Sequence, residues 1–110
     1  MSNPIWHDIC PLDELEVNWG EVALVNNEQY AIFRLPDNRV FATDHKDPNS
    51  GALVIARGIT GNKGGKPTIA SPLFKEEYNL ETGEQLNGKD YTLPVYPARV
   101  ENGTVQIQVS

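Results

Sequence analysis

The chain has 110 residues, of which 39% are hydrophobic and 22% charged, a composition typical of a folded globular protein and not of a disordered one. We therefore expect residues 1–110 to form one domain. The formal net charge of −6 at pH 7 argues against a nucleic-acid partner, because an acidic surface repels phosphate. No apolar run approaches the roughly 20 residues that span a bilayer, and no secretion signal begins the chain. Its single cysteine, Cys10, cannot form an intrachain disulfide, so we expect a cytoplasmic protein.

The spacing of glycine and proline predicts a mostly β fold. Nine glycines and eight prolines separate short segments rich in β-branched and aromatic residues, which is typical of many short strands. Residues 11–15 predict one helical turn, because proline begins it and carboxylates follow near its positive end. Residues 22–25 and 29–33 predict a hairpin around Asn26-Asn27, since asparagine tolerates the positive φ of tight turns. A turn at residues 36–38 then adds residues 40–42 as a third strand.

The C-terminal half of the chain predicts a loop and a second hairpin. Residues 60–67 combine glycine, lysine and asparagine, so we expect a mobile loop there. Asn102-Gly103 is the strongest short hairpin signal and joins predicted strands over residues 96–101 and 104–109. Val105, Ile107 and Val109 alternate with glutamines, which predicts a strand with one face on the core and the other in water.

Two loop segments carry the pattern that is most informative for function. They are residues 44–48, Asp-His-Lys-Asp-Pro, and residues 71–75, Ser-Pro-Leu-Phe-Lys. Here the chain resembles the Rieske family, whose iron–sulfur domain has Cys-x-His in one loop and Cys-x-x-His in the next, followed by a strand and a Thr-Gly-Glu turn. Residues 70–75, 78–84 and 93–100 are similar to the second half of that pattern. The resemblance implies a Rieske-like antiparallel β sandwich or barrel with short helical turns.

Four positions of this chain correspond to the cluster ligands of the Rieske pattern. His45 and Asp47 stand at the first pair, and Ser71 and Phe74 stand at the second. A Rieske centre needs two thiolates on one iron and two imidazoles on the other, and none of the four positions keeps its ligand. The resemblance therefore implies a domain without the cluster. We expect Phe74 to fill the vacated space, with a burial contribution of about 1.5–3 kcal/mol.

A narrower resemblance covers most of the chain. Residues 6–13, 31–34, 47–48 and 56–59 are similar to the small subunits of bacterial NADH-dependent nitrite reductases. In that family the large subunit carries FAD, siroheme and an iron–sulfur cluster. The resemblance thus implies an accessory subunit without catalytic residues or a cofactor, acting in nitrate assimilation with NADH or NADPH. It would bind the large subunit, and the expected contact residues lie at the tips of the two loops. They are His45, Lys46, Asp47, Leu73, Phe74 and Lys75.

Several individual residues could in principle be catalytic or bind a metal, but we prefer a structural interpretation for each. The acidic neighbours of His45 predict a solvated histidine with a raised pKa, and His7, His45 and Cys10 lack the spacing of a zinc site. Cys10 is interpreted as a small apolar residue and not as a nucleophile. Ser71 lacks a nucleophile elbow, and residues 63–66 lack the ending of a phosphate loop. We therefore assign no catalytic or metal-binding residue.

The sequence is also compatible with two other functions. One is a standalone Rieske-type electron-transfer ferredoxin, which would be coloured and contain iron and acid-labile sulfide. The other is a small β module that binds, or helps to assemble, a different partner.

Overall fold

Short β-strands dominate the structure. The computed structural model describes residues 5–73 and 75–109, and these contain ten strands and two 3₁₀ helices. The strands are β1 (Ile5–Pro11), β2 (Gly20–Val25), β3 (Glu28–Arg34), β4 (Val40–Asp44), β5 (Ile59–Lys63), β6 (Lys66–Ala70), β7 (Glu77–Asn79), β8 (Val95–Tyr96), β9 (Ala98–Glu101) and β10 (Thr104–Val109), and the 3₁₀ helices are Leu12–Glu14 and Ile55–Arg57. Within the described residues, no helix has the length and apolar character needed to cross a membrane.

The strands form three antiparallel sheets. Their strand orders are β1-β10-β9, β2-β3-β4-β8 and β5-β6-β7, and every pairing within them is antiparallel. This confirms the expected mostly antiparallel β fold with short helical turns. Among the described residues the sheets keep open edges and do not close into a barrel.

Two hairpin turns form where the sequence predicts them. Asn26 and Asn27 have φ values of 51° and 69°, and they join β2 to β3 in the register that a two-residue loop requires. Asn102 and Gly103 have φ values of 52° and 79° and join β9 to β10 in the same way. β4 follows as the third strand beside β3. The predicted turn chemistry therefore sets the register of both hairpins.

Residues 60–67 are not the mobile loop that their composition predicts. They lie in β5 and β6, which pair from Ile59 opposite Ala70 to Lys63 opposite Lys66. Gly64 and Gly65 make the tight turn between them, with φ values of 60° and 86°. The prediction fails because ladder hydrogen bonds use the backbone, so polar residues can pair as strands wherever a turn residue allows it.

The strand predicted over residues 96–101 is interrupted at Pro97. Tyr96 belongs to β8, which pairs with β4, whereas β9 pairs with β10 in a different sheet. Proline has no N–H to donate to a ladder, and here its carbonyl accepts the N–H of Gln108 at 2.9 Å. Val105, Ile107 and Val109 are buried as predicted. The helical turn near residue 12 also forms, while the second 3₁₀ helix was not predicted.

Two hydrophobic cores lie on opposite faces of β3. Successive residues of a strand point to opposite faces, and in β3 Tyr30 and Ile32 enter one core while Ala31 and Phe33 enter the other. The first core also contains Leu15, Ala23, Val25, Val40, Ala42, Val105, Ile107 and Val109. The second also contains Leu35, Ile55, Ala56, Ile69, Tyr78, Leu80 and Leu93. The second core therefore includes two residues of the 3₁₀ helix Ile55–Arg57 and one residue of β6, the strand that ends just before Ser71.

Candidate functional site: two loops joined by a polar bridge

Two loops hold the positions singled out in the sequence. The first loop, residues 45–58, follows β4, and the second loop, residues 71–76, follows β6. They meet where the Ser71 hydroxyl donates a hydrogen bond of 2.6 Å to Asp47 Oδ2. Both side chains are buried, with relative exposures of 0% for Asp47 and 1% for Ser71. Phe74, expected to fill the space between the loops, lies outside the described residues.

A chain of side-chain hydrogen bonds extends this contact across both loops. Asp47 Oδ1 accepts the backbone N–H of Asn49 at 2.9 Å, and the Asn49 amide donates to Glu76 Oε1 at 3.0 Å. The Tyr78 hydroxyl donates to Glu76 Oε2, also at 3.0 Å. We call these five residues, Asp47, Asn49, Ser71, Glu76 and Tyr78, the polar bridge. It satisfies two buried carboxylates with hydrogen-bond donors, which is the condition for burying such groups at modest cost.

Burial raises the pKa of Tyr78, and the hydrogen bond to the Glu76 carboxylate and its charge add to that effect. The phenol therefore stays protonated and keeps its proton as the donor to Glu76. This fixes the direction of the hydrogen bond at one end of the polar bridge.

Backbone hydrogen bonds close each loop on itself. In the first loop, the Asp47 N–H donates to the Ala52 carbonyl and the Gly51 N–H donates to the Asp47 carbonyl, both at 2.8 Å. In the second loop, the Ser71 N–H donates to the Glu76 carbonyl and the Lys75 N–H to the Ser71 carbonyl, both at 2.9 Å. The polar bridge thus joins two loops that each contain backbone hydrogen bonds of their own.

His45 is buried, with 5% of its surface exposed, so the prediction of a solvated histidine is wrong. Its Nδ1 accepts the Ala56 N–H at 3.1 Å, which places the proton of the neutral ring on Nε2. Burial lowers the pKa of His45, and the positive charge of Arg57 lowers it further. The expected rise in pKa from Asp44 and Asp47 does not occur, because desolvation disfavours the charged ring. His45 therefore anchors the second 3₁₀ helix as a neutral acceptor.

The donors at these loops do not fit a [2Fe–2S] cluster. The described Rieske positions offer an imidazole engaged by Ala56, a carboxylate and a hydroxyl, whereas the cluster needs two thiolates and two imidazoles. Cys10 lies on β1 in a different sheet, half-buried against the first core. Burial raises the pKa of its thiol, and Glu14 and Glu21 raise it further. Among the described residues, no group of three or more histidine, cysteine or acidic side chains is arranged to hold a metal ion.

The residues predicted to contact a partner divide into two groups. Lys46, Leu73 and Lys75 are exposed, whereas the side chains of His45 and Asp47 are buried. The buried pair shapes the loops and does not reach their outer surface, and Phe74 is not described.

Sequence reasoning missed three members of the polar bridge and one anchor. Asn49, Glu76 and Tyr78 were not singled out, nor was Ala56 as the donor to His45. Only the Asp-Pro-Asn sequence at residues 47–49 carried a usable signal, because aspartate often accepts the N–H two residues later. The other contacts join residues far apart in the chain.

The profile of the Rieske-like [2Fe-2S] domain family matches residues 5–108. The small subunit of Escherichia coli K12 nitrite reductase (NADH) is 36% identical over 104 residues, covering 94% of this chain and 96% of that protein. A Mycobacterium tuberculosis protein assigned as an NADH-dependent nitrite reductase small subunit has a crystal structure that superposes with a TM-score of 0.93 at 37% identity, covering 99% of this chain and 98% of that one.

A further relative is much longer than this chain. The Klebsiella oxytoca nitrite reductase [NAD(P)H] large subunit is 38% identical over 102 residues. The match covers 93% of this chain but only 11% of that protein.

Proposed function

The chain belongs to the Rieske-like [2Fe-2S] domain family, among the small subunits of NADH-dependent nitrite reductases, and on this premise we propose that it binds the large subunit as an accessory subunit. The assembled enzyme reduces nitrite to ammonia with NADH or NADPH in nitrate assimilation. In this proposal the small subunit supplies no catalytic residue, and the isolated chain is inactive. FAD, siroheme and the iron–sulfur cluster are carried by the large subunit.

One observation supports the proposal that this chain binds a large subunit. A nitrite reductase large subunit from Klebsiella oxytoca contains a segment of 102 residues that is 38% identical to this chain. A related domain therefore occurs inside the same polypeptide as a large subunit. Contacts between domains of one chain resemble those between separate proteins, so a free version of the domain is expected to bind the same neighbour without a covalent link.

The absence of a cluster from this chain is supported by its donor atoms. The polar bridge joins the two loops by hydrogen bonds at positions where a Rieske domain has metal ligands. The chain has only one cysteine, and it lies in another sheet. Loop shape can thus be maintained by side-chain hydrogen bonding, which leaves the loop tips available for protein contact.

The exposed loop residues Lys46, Leu73 and Lys75 form the proposed contact with the large subunit. His45 and Asp47 act from beneath by holding the first loop in place. Phe74 is also proposed to contact the large subunit, on the basis of its position in the sequence alone.

Two further proposals concern the whole chain. We propose that it forms one domain, because β3 contributes to both cores and one family profile spans residues 5–108. A cytoplasmic location is proposed from the single cysteine, which suits a reducing compartment.

The test is NADH-dependent nitrite reduction by the large subunit from the same organism, measured with and without this chain. Size-exclusion chromatography of the mixture accompanies the assay. A shared elution peak and a raised rate are the expected results. Separate elution with an unchanged rate would overturn the proposal. A coloured small subunit containing iron and acid-labile sulfide, prepared without air, would instead favour an electron-transfer ferredoxin.

A further inference from the structure

The outer surface of the two loops differs in charge from the rest of this acidic protein. The chain carries a net charge of −6, yet every exposed charged side chain described in residues 45–58 and 71–76 is a cation. These are Lys46, Arg57 and Lys75. With the exposed leucines Leu53 and Leu73 they form what we call the loop-end surface.

The positive charge of this surface follows from the burial of two carboxylates in the polar bridge. The same segments contain two acidic residues, Asp47 and Glu76, but both are buried, with relative exposures of 0% and 9%. Ser71 and the Asn49 backbone N–H donate to Asp47, while the Asn49 amide and Tyr78 donate to Glu76. Because these two carboxylates are turned inward, they do not neutralise the exposed side chains of Lys46 and Lys75.

Lys46 and Lys75 adjoin the loop junction, whereas Arg57 lines a cleft with Trp19 and Glu21. Lys46 directly precedes Asp47, and Lys75 closes the second loop through its N–H on the Ser71 carbonyl. Arg57 follows Ala56, which is bonded to His45, and its charge lowers the pKa of that ring. Within the part of the chain that the structure describes, the two ion pairs involve neither Lys46, Arg57 nor Lys75.

Large apolar side chains accompany these charges. Leu53 is 51% exposed and lies opposite Lys46 in a β-bridge, while Leu73 is 48% exposed and follows Ser71 by two residues. An apolar centre with charged groups around it is the usual composition of a protein–protein contact. The charges mainly orient the encounter and set the association rate, and apolar burial slows dissociation.

We infer that the loop-end surface docks onto an acidic patch with an apolar centre on the nitrite reductase large subunit, an inference that rests on the proposed function. Elsewhere the surface of this chain is predominantly acidic, so an acidic patch on the partner repels those other faces. The same patch attracts the loop end. Electrostatic steering of this kind raises the association rate and weakens as salt is added.

The first test compares charge reversals of equal size. Lys46→Glu/Lys75→Glu changes two cations of the loop-end surface. The control Lys63→Glu/Lys66→Glu changes two exposed cations beside the Gly64-Gly65 turn. It also removes the exposed ion pair of 3.9 Å between Lys63 and Glu77, and such surface pairs contribute little to stability. Both variants have the same net charge, so a difference between their association rates depends on where on the surface the charges lie. Circular dichroism confirms that each is folded.

Association with the complete large subunit is measured by stopped flow at several salt concentrations. We expect the loop-end variant to associate about tenfold more slowly than the control at low salt, with the difference shrinking as salt rises. Equal rates for the two variants would overturn the inference and leave the proposed function in place. Failure of the unchanged chain to bind would overturn both.

A second test identifies the partner's charges directly. A carbodiimide joins lysine amines to carboxylates that they contact, without adding a spacer. In the wild-type complex we expect Lys46 and Lys75 to link to aspartates or glutamates of the large subunit, and Lys66 to form no such link. Links from Lys66 without any from the loop-end surface would move the interface elsewhere.

Discussion

Removing the Ser71 hydroxyl should measure how much the polar bridge contributes to stability. Ser71 donates to a fully buried carboxylate at 2.6 Å, and Ser71→Ala deletes one atom without creating a large cavity. A hydrogen bond to a charged group contributes about 1.5–3 kcal/mol net. Since Asp47 keeps its bond from the Asn49 N–H, we expect a loss of about 2 kcal/mol in the free energy of unfolding.

Urea denaturation followed by circular dichroism provides the assay. With an m-value of about 2 kcal/mol/M, this loss moves the midpoint by about 1 M. The matched control is Ser50→Ala in the same loop, because Ser50 is exposed and accepts the Ala52 N–H at 3.1 Å. We expect the control to lose less than about 1 kcal/mol. Equal losses for the two variants would refute the view that the buried contact joins the loops.

A double-mutant cycle separates the pair from its surroundings. Asp47→Ala alone leaves the Ser71 hydroxyl and the Asn49 N–H without their acceptor, so it should cost more than Ser71→Ala. Combined with Ser71→Ala, it should show a coupling energy of about 1.5–3 kcal/mol. Additive losses would mean that the two side chains stabilise the loops independently.

Three further predictions concern turns and pH. Gly83 has φ +81° and an added Cβ would overlap the Leu93 carbonyl oxygen, whereas Gly64 has φ +60° and open space around it. In urea denaturation, Gly83→Ala should therefore lower the free energy of unfolding by more than about 3 kcal/mol, and Gly64→Ala by about 1 kcal/mol. Asn27→Gly should stabilise the protein by about 0.5 kcal/mol in thermal denaturation, because φ is 69° there and a two-residue hairpin favours glycine at that place. The pKa of His45 is lowered in the folded protein, so the unfolded chain binds the proton more tightly, and stability is lost as pH falls below about 6.5. Between pH 7 and pH 5 the unfolding free energy of the wild type should fall more steeply than that of His45→Asn, and parallel curves would contradict this.

Local chemistry made much of the fold predictable. Tight hairpin turns require positive φ values that few residues accept. Asn26-Asn27 and Asn102-Gly103 accept them and form such turns in the structure. The alternation around Val105 likewise matches its buried face. The β5–β6 hairpin escaped prediction because its backbone pairing is compatible with polar side chains.

The candidate site was only partly predictable, because its contacts span long distances in sequence. The resemblance placed Asp47 and Ser71 at corresponding loop positions, and the structure joins them directly. No local pattern shows that Asn49 would reach Glu76, 27 residues later. Nor could it show that His45 would be covered by a 3₁₀ helix and become an acceptor for Ala56. Acidic neighbours in sequence are a poor guide to a pKa when packing decides burial.

The position of β3 also determines how this molecule can open. Its odd and even side chains belong to different cores, and both of its edges are paired, with β2 and with β4. Exposing the amides of β3 to water thus requires both cores to separate, which approaches complete unfolding. An edge strand such as β5, whose residues are mostly exposed, can detach from its one neighbour, β6. In native-state hydrogen exchange, β3 should mark the slowest amides, so that the loops can adjust to a partner while this strand keeps the two halves in a fixed relation.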